Sequence, residues 1–247
     1  MLRFIHIGKT GGTTLLHLFK DNNIDIPEYH FNKNYKPNEK YIIWIRNPLS
    51  RFVSAFNMEH HFITFDYKNK TIKEVNHSNC MWPGVIHNLI KSKRNYVIHP
   101  RFDKLINFFK SANNLAEGLT SNIPETKEKA IELMNFESKS HIFRGIGWYL
   151  NNGKFLENNN HKILFVGKQE TMDTDIEALG KILNKSLNIN KKCMINSYSI
   201  KQSKYLSPLA ITNLIEFYKN TDYTALEQLN KYGWISDEVL ALYYTYP

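Results

Sequence analysis

A lysine set among glycines and threonines, Gly8-Lys9-Thr10-Gly11-Gly12-Thr13-Thr14, is the first stretch able to do chemistry. Lysine supplies a compact, mobile point charge. Gly11 and Gly12 allow close backbone approach and positive φ. Thr13 and Thr14 can cap a helix or donate to phosphate oxygens, as can the hydroxyl of Thr10. These are the parts of an anion cradle. A second cation, Arg46, precedes Asn47-Pro48 and is followed by Arg51 and Ser54. Between the two cations lie Glu28 and His30, side chains of the kinds that accept protons near neutral pH.

Such residues need elements to position them. Residues 1–7 are a short apolar run of β-formers and read as a buried strand. Leu15, Leu16, Leu18 and Phe19 then switch to helical spacing. Strand, glycine-rich loop and helix together aim backbone N–H groups at a phosphate. In the NTPase P-loop the lysine follows the last glycine. Here Lys9 precedes Gly11 and Gly12, which moves the cation from the helix start to the strand end. Residues 24–40 read as a polar loop. Residues 41–45 form a second buried strand, parallel to the first. Pro48 opens a helix with Leu49, Phe52, Val53 and Phe56 on one face. Residues 162–166 form a third strand before Gly167-Lys168-Gln169-Glu170. Residues 173–187 read as an amphipathic helix with Ile176, Leu179, Ile182 and Leu183 inward. Further helices are expected near 102–109 and 127–134 and after Ser207-Pro208.

The expected fold is α/β: a P-loop-like three-layer domain, residues 1–247, with a central parallel sheet flanked by helices. Ligands of such sheets bind beyond the carboxyl ends of the strands, so Lys9 and Arg46 should meet on one edge. An arginine stands after the second strand where an NTPase would want an acidic magnesium ligand. The site gathers positive charge and suits a ligand with phosphates at two separated places.

A length of 247 residues, 42% hydrophobic and 22% charged, suits one soluble domain. The net charge of +9 favours anionic ligands or polymers. The lysines are scattered, however, as in Lys68-Asn69-Lys70 and Lys191-Lys192, which argues against a dedicated nucleic-acid surface. Two cysteines, Cys80 and Cys193, build neither a disulfide framework nor a metal-binding pair. The His60-His61 pair lacks a matching third ligand, so no metal is expected. A strand starting this close to Met1 leaves no room for a signal peptide, and no apolar run approaches the roughly 20 residues of a membrane span. The expectation is a cytoplasmic or otherwise soluble chain without an anchor.

Residues 5–14, Ile-His-Ile-Gly-Lys-Thr-Gly-Gly-Thr-Thr, resemble the 5′-phosphosulfate loop of sulfotransferases that use 3′-phosphoadenosine-5′-phosphosulfate (PAPS). Residues 46–56, Arg-Asn-Pro-Leu-Ser-Arg-Phe-Val-Ser-Ala-Phe, resemble their 3′-phosphate motif. The nearest branch is the carbohydrate O-sulfotransferases, including the heparan 2-O-sulfotransferase-like group. Weaker matches are residues 165–170 and the Tyr218 to Asp222-Tyr223 segment. Gly8 departs from the proline frequent in the family, and residues 59–160 match little.

The resemblance implies transfer of a sulfuryl group from PAPS to an acceptor hydroxyl, with adenosine 3′,5′-bisphosphate (PAP) leaving and no metal required. It makes Lys9 the cation at the leaving oxygen. Thr10, Gly11, Gly12, Thr13 and Thr14 would hold the 5′-phosphate, and Arg46 and Ser54 the 3′-phosphate, with Arg51 either a phosphate ligand or a surface residue. His30 is the favoured base, with Glu28 the alternative and His60 and His61 beside the acceptor cleft. Gly167 and Glu170 would lie near the nucleotide, and a loop at 196–204, with Lys201 or Lys204, would close over it. Trp82, Trp148 and Tyr149 are candidate stacking platforms. His6 reads as a packed strand residue, and His141 has no assigned role. The rival readings are a magnesium-dependent P-loop kinase or NTPase, and a non-enzymatic binder of anionic polymers.

Overall fold

The computed structural model describes residues 1–30, 32–69, 88–137, 140–187 and 203–247. Cys80, Trp82, Cys193, Lys201 and most of the loop at 196–204 lie outside the described residues. Four parallel strands form the sheet: β1 (Leu2–Ile5), β2 (Glu28–Tyr29), β3 (Lys40–Ile45) and β4 (Ile163–Lys168), in the order β2-β1-β3-β4. The chain leaves β1 for β2 on one side and returns to place β3 on the other. The order therefore reverses between β1 and β3, which is where open parallel sheets place their ligands.

Alternation along β3 sends its side chains to two cores. Tyr41, Ile43 and Ile45 join the larger one, and Ile42 and Trp44 the smaller. The smaller core is closed by α1 (Gly12–Asp21), through Leu15, Leu18 and Phe19, and by the Met172–Leu183 helix, through Ile176 and Leu179. The larger is closed by α2 (Pro48–Thr64), with Leu49, Phe52, Val53 and Phe56 inward, and by the Pro208–Tyr218 helix. Helices on both faces make the three layers. The Pro100–Phe108 and Pro124–Met134 helices add to the larger core.

Two expectations, the 24–40 loop and the 173–187 helix, are corrected in detail, and the β4 ladder carries an irregularity. Residues 24–40 are not wholly loop, because Glu28–Tyr29 pairs as an edge strand with β1. It is held there by Tyr29, whose hydroxyl donates to the buried Glu39 carboxylate at 2.7 Å; Arg3 donates to the same carboxylate at 2.8 Å. In β4, Tyr41 faces Ile163 but Ile42 faces Phe165, so Leu164 is an extra residue in the ladder. Ile163 and Val166 consequently reach the same core despite their odd spacing. The 173–187 helix ends at Leu183, where Asn184 turns left-handed, and Ile182 faces outward, 46% exposed.

Candidate functional site

At the end of β1 the chain turns before starting α1. Thr10 drives its hydroxyl into the Ile7 carbonyl (2.8 Å) and is fully buried. Lys9 takes a left-handed φ of 70° and Gly11 a φ of 91°. Gly11 itself is the helix N-cap, without a side-chain bond, so neither Thr13 nor Thr14 caps α1. The first N–H groups of α1 thus carry its positive end toward the space above the loop.

β3 delivers Arg46 beside this loop. Its Nη1 donates to the Lys9 carbonyl at 3.3 Å. Asn47 then caps α2, its Oδ1 accepting from the N–H groups of Leu49 (2.9 Å) and Ser50 (3.1 Å). The Asn47 N–H donates to Glu170 Oε1 at 2.8 Å, and Tyr243 donates to Glu170 Oε2 at 3.0 Å. Glu170 thus has a bracing role, locking the end of β3 to the β4 turn and the C-terminal helix. Gly167 is a packing glycine, since a Cβ there would lie 2.3 Å from the Trp44 ring.

A cavity of about 1270 Å³ opens over these strand ends. Its walls include Lys9, Gly11, Gly12, Thr13, Thr14, Arg46 and Ser54 on one side and Glu28 and His30 on the other. The glycine-loop residues, Arg46, Ser54 and the two base candidates therefore meet in one space, apart from Thr10, whose hydroxyl is turned into the loop. Lys204 lines the cavity as well. Among the described lining residues, the sequence reading missed Ser50, Asn57 and Met58, which share the Ser54 face of α2 at helical spacing. Met58 accepts from Lys9 Nζ at 3.3 Å. Burial, and then the Arg46 charge, lower the Lys9 ammonium to a pKa of about 8. Burial likewise lowers Arg46. Two cations held together at one sheet edge are an electrostatic debt that a polyanion would settle.

The other side of the cavity is a column of rings. His6 stacks on Phe4 at 5.4 Å and on His30 at 4.2 Å. His6 Nδ1 bonds the Glu28 carboxylate. Burial tends to raise Glu28, but the His6 hydrogen bond and charge outweigh it and leave the group below its usual value. His30 Nδ1 lies 2.9 Å from the His6 carbonyl. A carbonyl only accepts, so that nitrogen carries the proton and Nε2 keeps the lone pair. Burial, and next the His6 charge, bring His30 down to a pKa of about 4. It is a neutral imidazole across the physiological range. His6, Glu28 and His30 could each offer a ligand atom to a metal. Yet the two imidazoles are stacked, 4.2 Å between centroids and 21° from parallel, so an ion in the plane of one ring would lie well out of the plane of the other. A metal needs them convergent.

Seven of the residues singled out in the sequence fall elsewhere. Arg51 is neither a surface residue nor a cavity-lining one. It is fully buried, 3.6 Å from Asp222 and donating to the His141 carbonyl at 2.8 Å. His60 stacks on Phe56 and His61 packs near Phe65, and neither lines the cavity. Trp148 lies outside it too, under Lys33 and Arg144. Tyr149 is buried in the larger core with its hydroxyl 3.3 Å from His30 Nδ1. Tyr218 and Tyr223, at the ends of the closing motif, are likewise core residues, beside Arg51 and Asp222. Compared with family models, curated proteins and solved structures, the chain matches none.

Proposed function

We propose that this protein is a PAPS-dependent O-sulfotransferase whose acceptor is a carbohydrate hydroxyl. The observation that carries the reading is the meeting of Lys9 and Arg46, 3.3 Å apart through the Lys9 carbonyl, where the strand order reverses. Two cations there, with the N-terminus of α1 between a glycine turn and the cavity, suit a ligand with two phosphate groups. The N–H groups from Gly11 to Thr14 would hold the 5′-phosphate, and Arg46 with Ser54 the 3′-phosphate. A space of about 1270 Å³ is more than one small ligand fills, and leaves room for an acceptor beside the histidines.

In this reading the acceptor oxygen attacks sulfur as the bond from sulfur to the 5′-phosphate oxygen breaks. The hydroxyl proton passes to His30 Nε2, and the bonding pair leaves with PAP. Charge grows on the departing oxygen, where Lys9 stabilises the transition state more than the ground state. Glu28, engaged with His6, serves to hold that ring in place rather than to take the proton.

Thermal melting tests this directly. PAP should raise the melting temperature without added metal, and Arg46→Ala should weaken PAP binding roughly 10- to 100-fold, the worth of one charge-assisted hydrogen bond. No response to PAP together with a response to magnesium-ATP would replace the sulfotransferase by a kinase or NTPase. Steeply salt-dependent binding of heparin, unaffected by Lys9→Ala, would favour a polymer binder.

A further inference from the structure

His141 is a site residue that the sequence motifs left without a role. Its ring packs on the phosphate loop itself: a Cβ on Gly8 would lie 2.2 Å from His141 Nδ1 and 2.8 Å from Cε1. No side chain fits at position 8 while that ring is in place, and a proline there would meet it too. Gly8 directly precedes Lys9, and the His141 ring centroid is 5.5 Å from that of His30. All four line the cavity. The imidazole therefore lies against the residue preceding Lys9 and beside the ring that would take the acceptor's proton.

Its main chain is fixed from both ends by one helix. Arg51 of α2 donates to the His141 carbonyl at 2.8 Å. Glu59, two turns further along α2, accepts from the His141 N–H and from Ser140 Oγ, the latter at 2.9 Å. Asp222 balances Arg51 and accepts from the Gly147 N–H at 2.8 Å. Arg51, Glu59 and Asp222 are each exposed by 2% or less. Burying three ionisable side chains adds little stability that well-packed apolar residues would not match. What they achieve is placement of one ring. Burial also keeps that imidazole well below its ordinary pKa, so at neutral pH it retains one N–H donor and stays uncharged.

We propose that His141 binds the sulfuryl group of PAPS, donating an imidazole N–H to one of its terminal oxygens. The proposal rests on the sulfotransferase reading. It differs from that reading in what it predicts, because PAP has both phosphates but no sulfuryl group.

The test is calorimetric titration of PAP and of PAPS into the wild type, His141→Ala, His141→Gln, Gly8→Ala and the Gly8→Ala/His141→Ala pair. His141→Ala should leave PAP affinity unchanged and weaken PAPS about tenfold or more, as expected for one hydrogen bond to a charged group. His141→Gln keeps an N–H donor and should recover part of the loss; it carries the comparison if the alanine variant does not fold. Gly8→Ala should reproduce the PAPS-specific defect by displacing the ring. Adding it to His141→Ala should cost nothing more, since both remove the same contact. Release of inorganic sulfate from PAPS into water should slow in parallel. Equal losses for PAP and PAPS, or no loss for either, would overturn the role of His141. A wild type that binds neither nucleotide would instead remove the sulfotransferase reading, and this proposal with it.

Discussion

Lys9 carries two burdens at once. A non-glycine residue at φ 70° is held in a region that costs on the order of 1–3 kcal/mol, and its ammonium is buried next to another cation. Replacing it by methionine removes the buried charge, so Lys9→Met should melt no lower than the wild type while sulfate transfer falls roughly 10²- to 10³-fold. The pH dependence follows from the same residue. With a pKa of about 8, Lys9 loses its proton in the unliganded protein as pH rises through 8, and a polyanion binds best to the charged form. PAP affinity should fall above pH 8, with proton uptake on binding visible by calorimetry in two buffers. Lys9→Met should remove that limb. His30, at about 4, is already deprotonated at pH 6, so no histidine limb is expected near neutrality. That Lys9, Arg46 and Ser54 line one cavity was legible in the sequence, because each belongs to a short contiguous motif. His141 was not, because what brings it to Gly8 is a packing contact across most of the chain. The inward turn of Thr10 was equally hidden, since a hydroxyl's direction is decided by the turn and not by the residue type.

At the scale of elements, α2 decides most of the site. One face closes the larger core, and its N-terminal half brings Ser50 and Ser54 to the cavity. A third set, Arg51 and Glu59, grips the 140–141 segment. The apolar face could be read from its spacing. The third set could not, because a charged residue in a helix is ordinarily solvated, and only the fold shows these two are buried. Glu59 gives that burial a measurable consequence. Burial raises its pKa to about 7, above its value in an unfolded chain near 4.3. The folded state therefore holds an extra proton between those values. The associated stability is complete below about pH 4 and is lost as pH rises through 7. Thermal melts should show a decline from pH 5 to 8 that Glu59→Gln flattens. A slope unchanged in the variant would place the titration elsewhere. The two-residue β2 was missed for a related reason. It is too short for a period-two signal, and it exists because β1 offers an edge and Glu39 holds Tyr29 against it.

The whole molecule is organised by the reversal of strand order between β1 and β3, which brings residue 9 and residue 46 to one edge. That much follows from two buried strands with cations at their ends, and it is why the meeting of these two residues was legible before the fold was. The link to the last quarter of the chain was less so. Asp222 lies in the π-helical turn Lys219–Tyr223, yet its carboxylate faces Arg51 of α2 and the Gly147 N–H of the Ile146–Leu150 helix. One buried carboxylate thus joins three distant stretches behind the cavity. Asp222→Ala would leave Arg51 buried without its counter-charge, a loss of about 3–5 kcal/mol. For a chain of this length that should lower the melting temperature by on the order of 10 °C. Replacing both partners, Arg51→Met with Asp222→Leu, removes the uncompensated charge and should restore much of the melting temperature. It cannot restore the donor to the His141 carbonyl. The double variant should therefore be stable, bind PAP, and still bind PAPS poorly. Recovery of PAPS affinity along with stability would mean that the buried pair serves the fold alone.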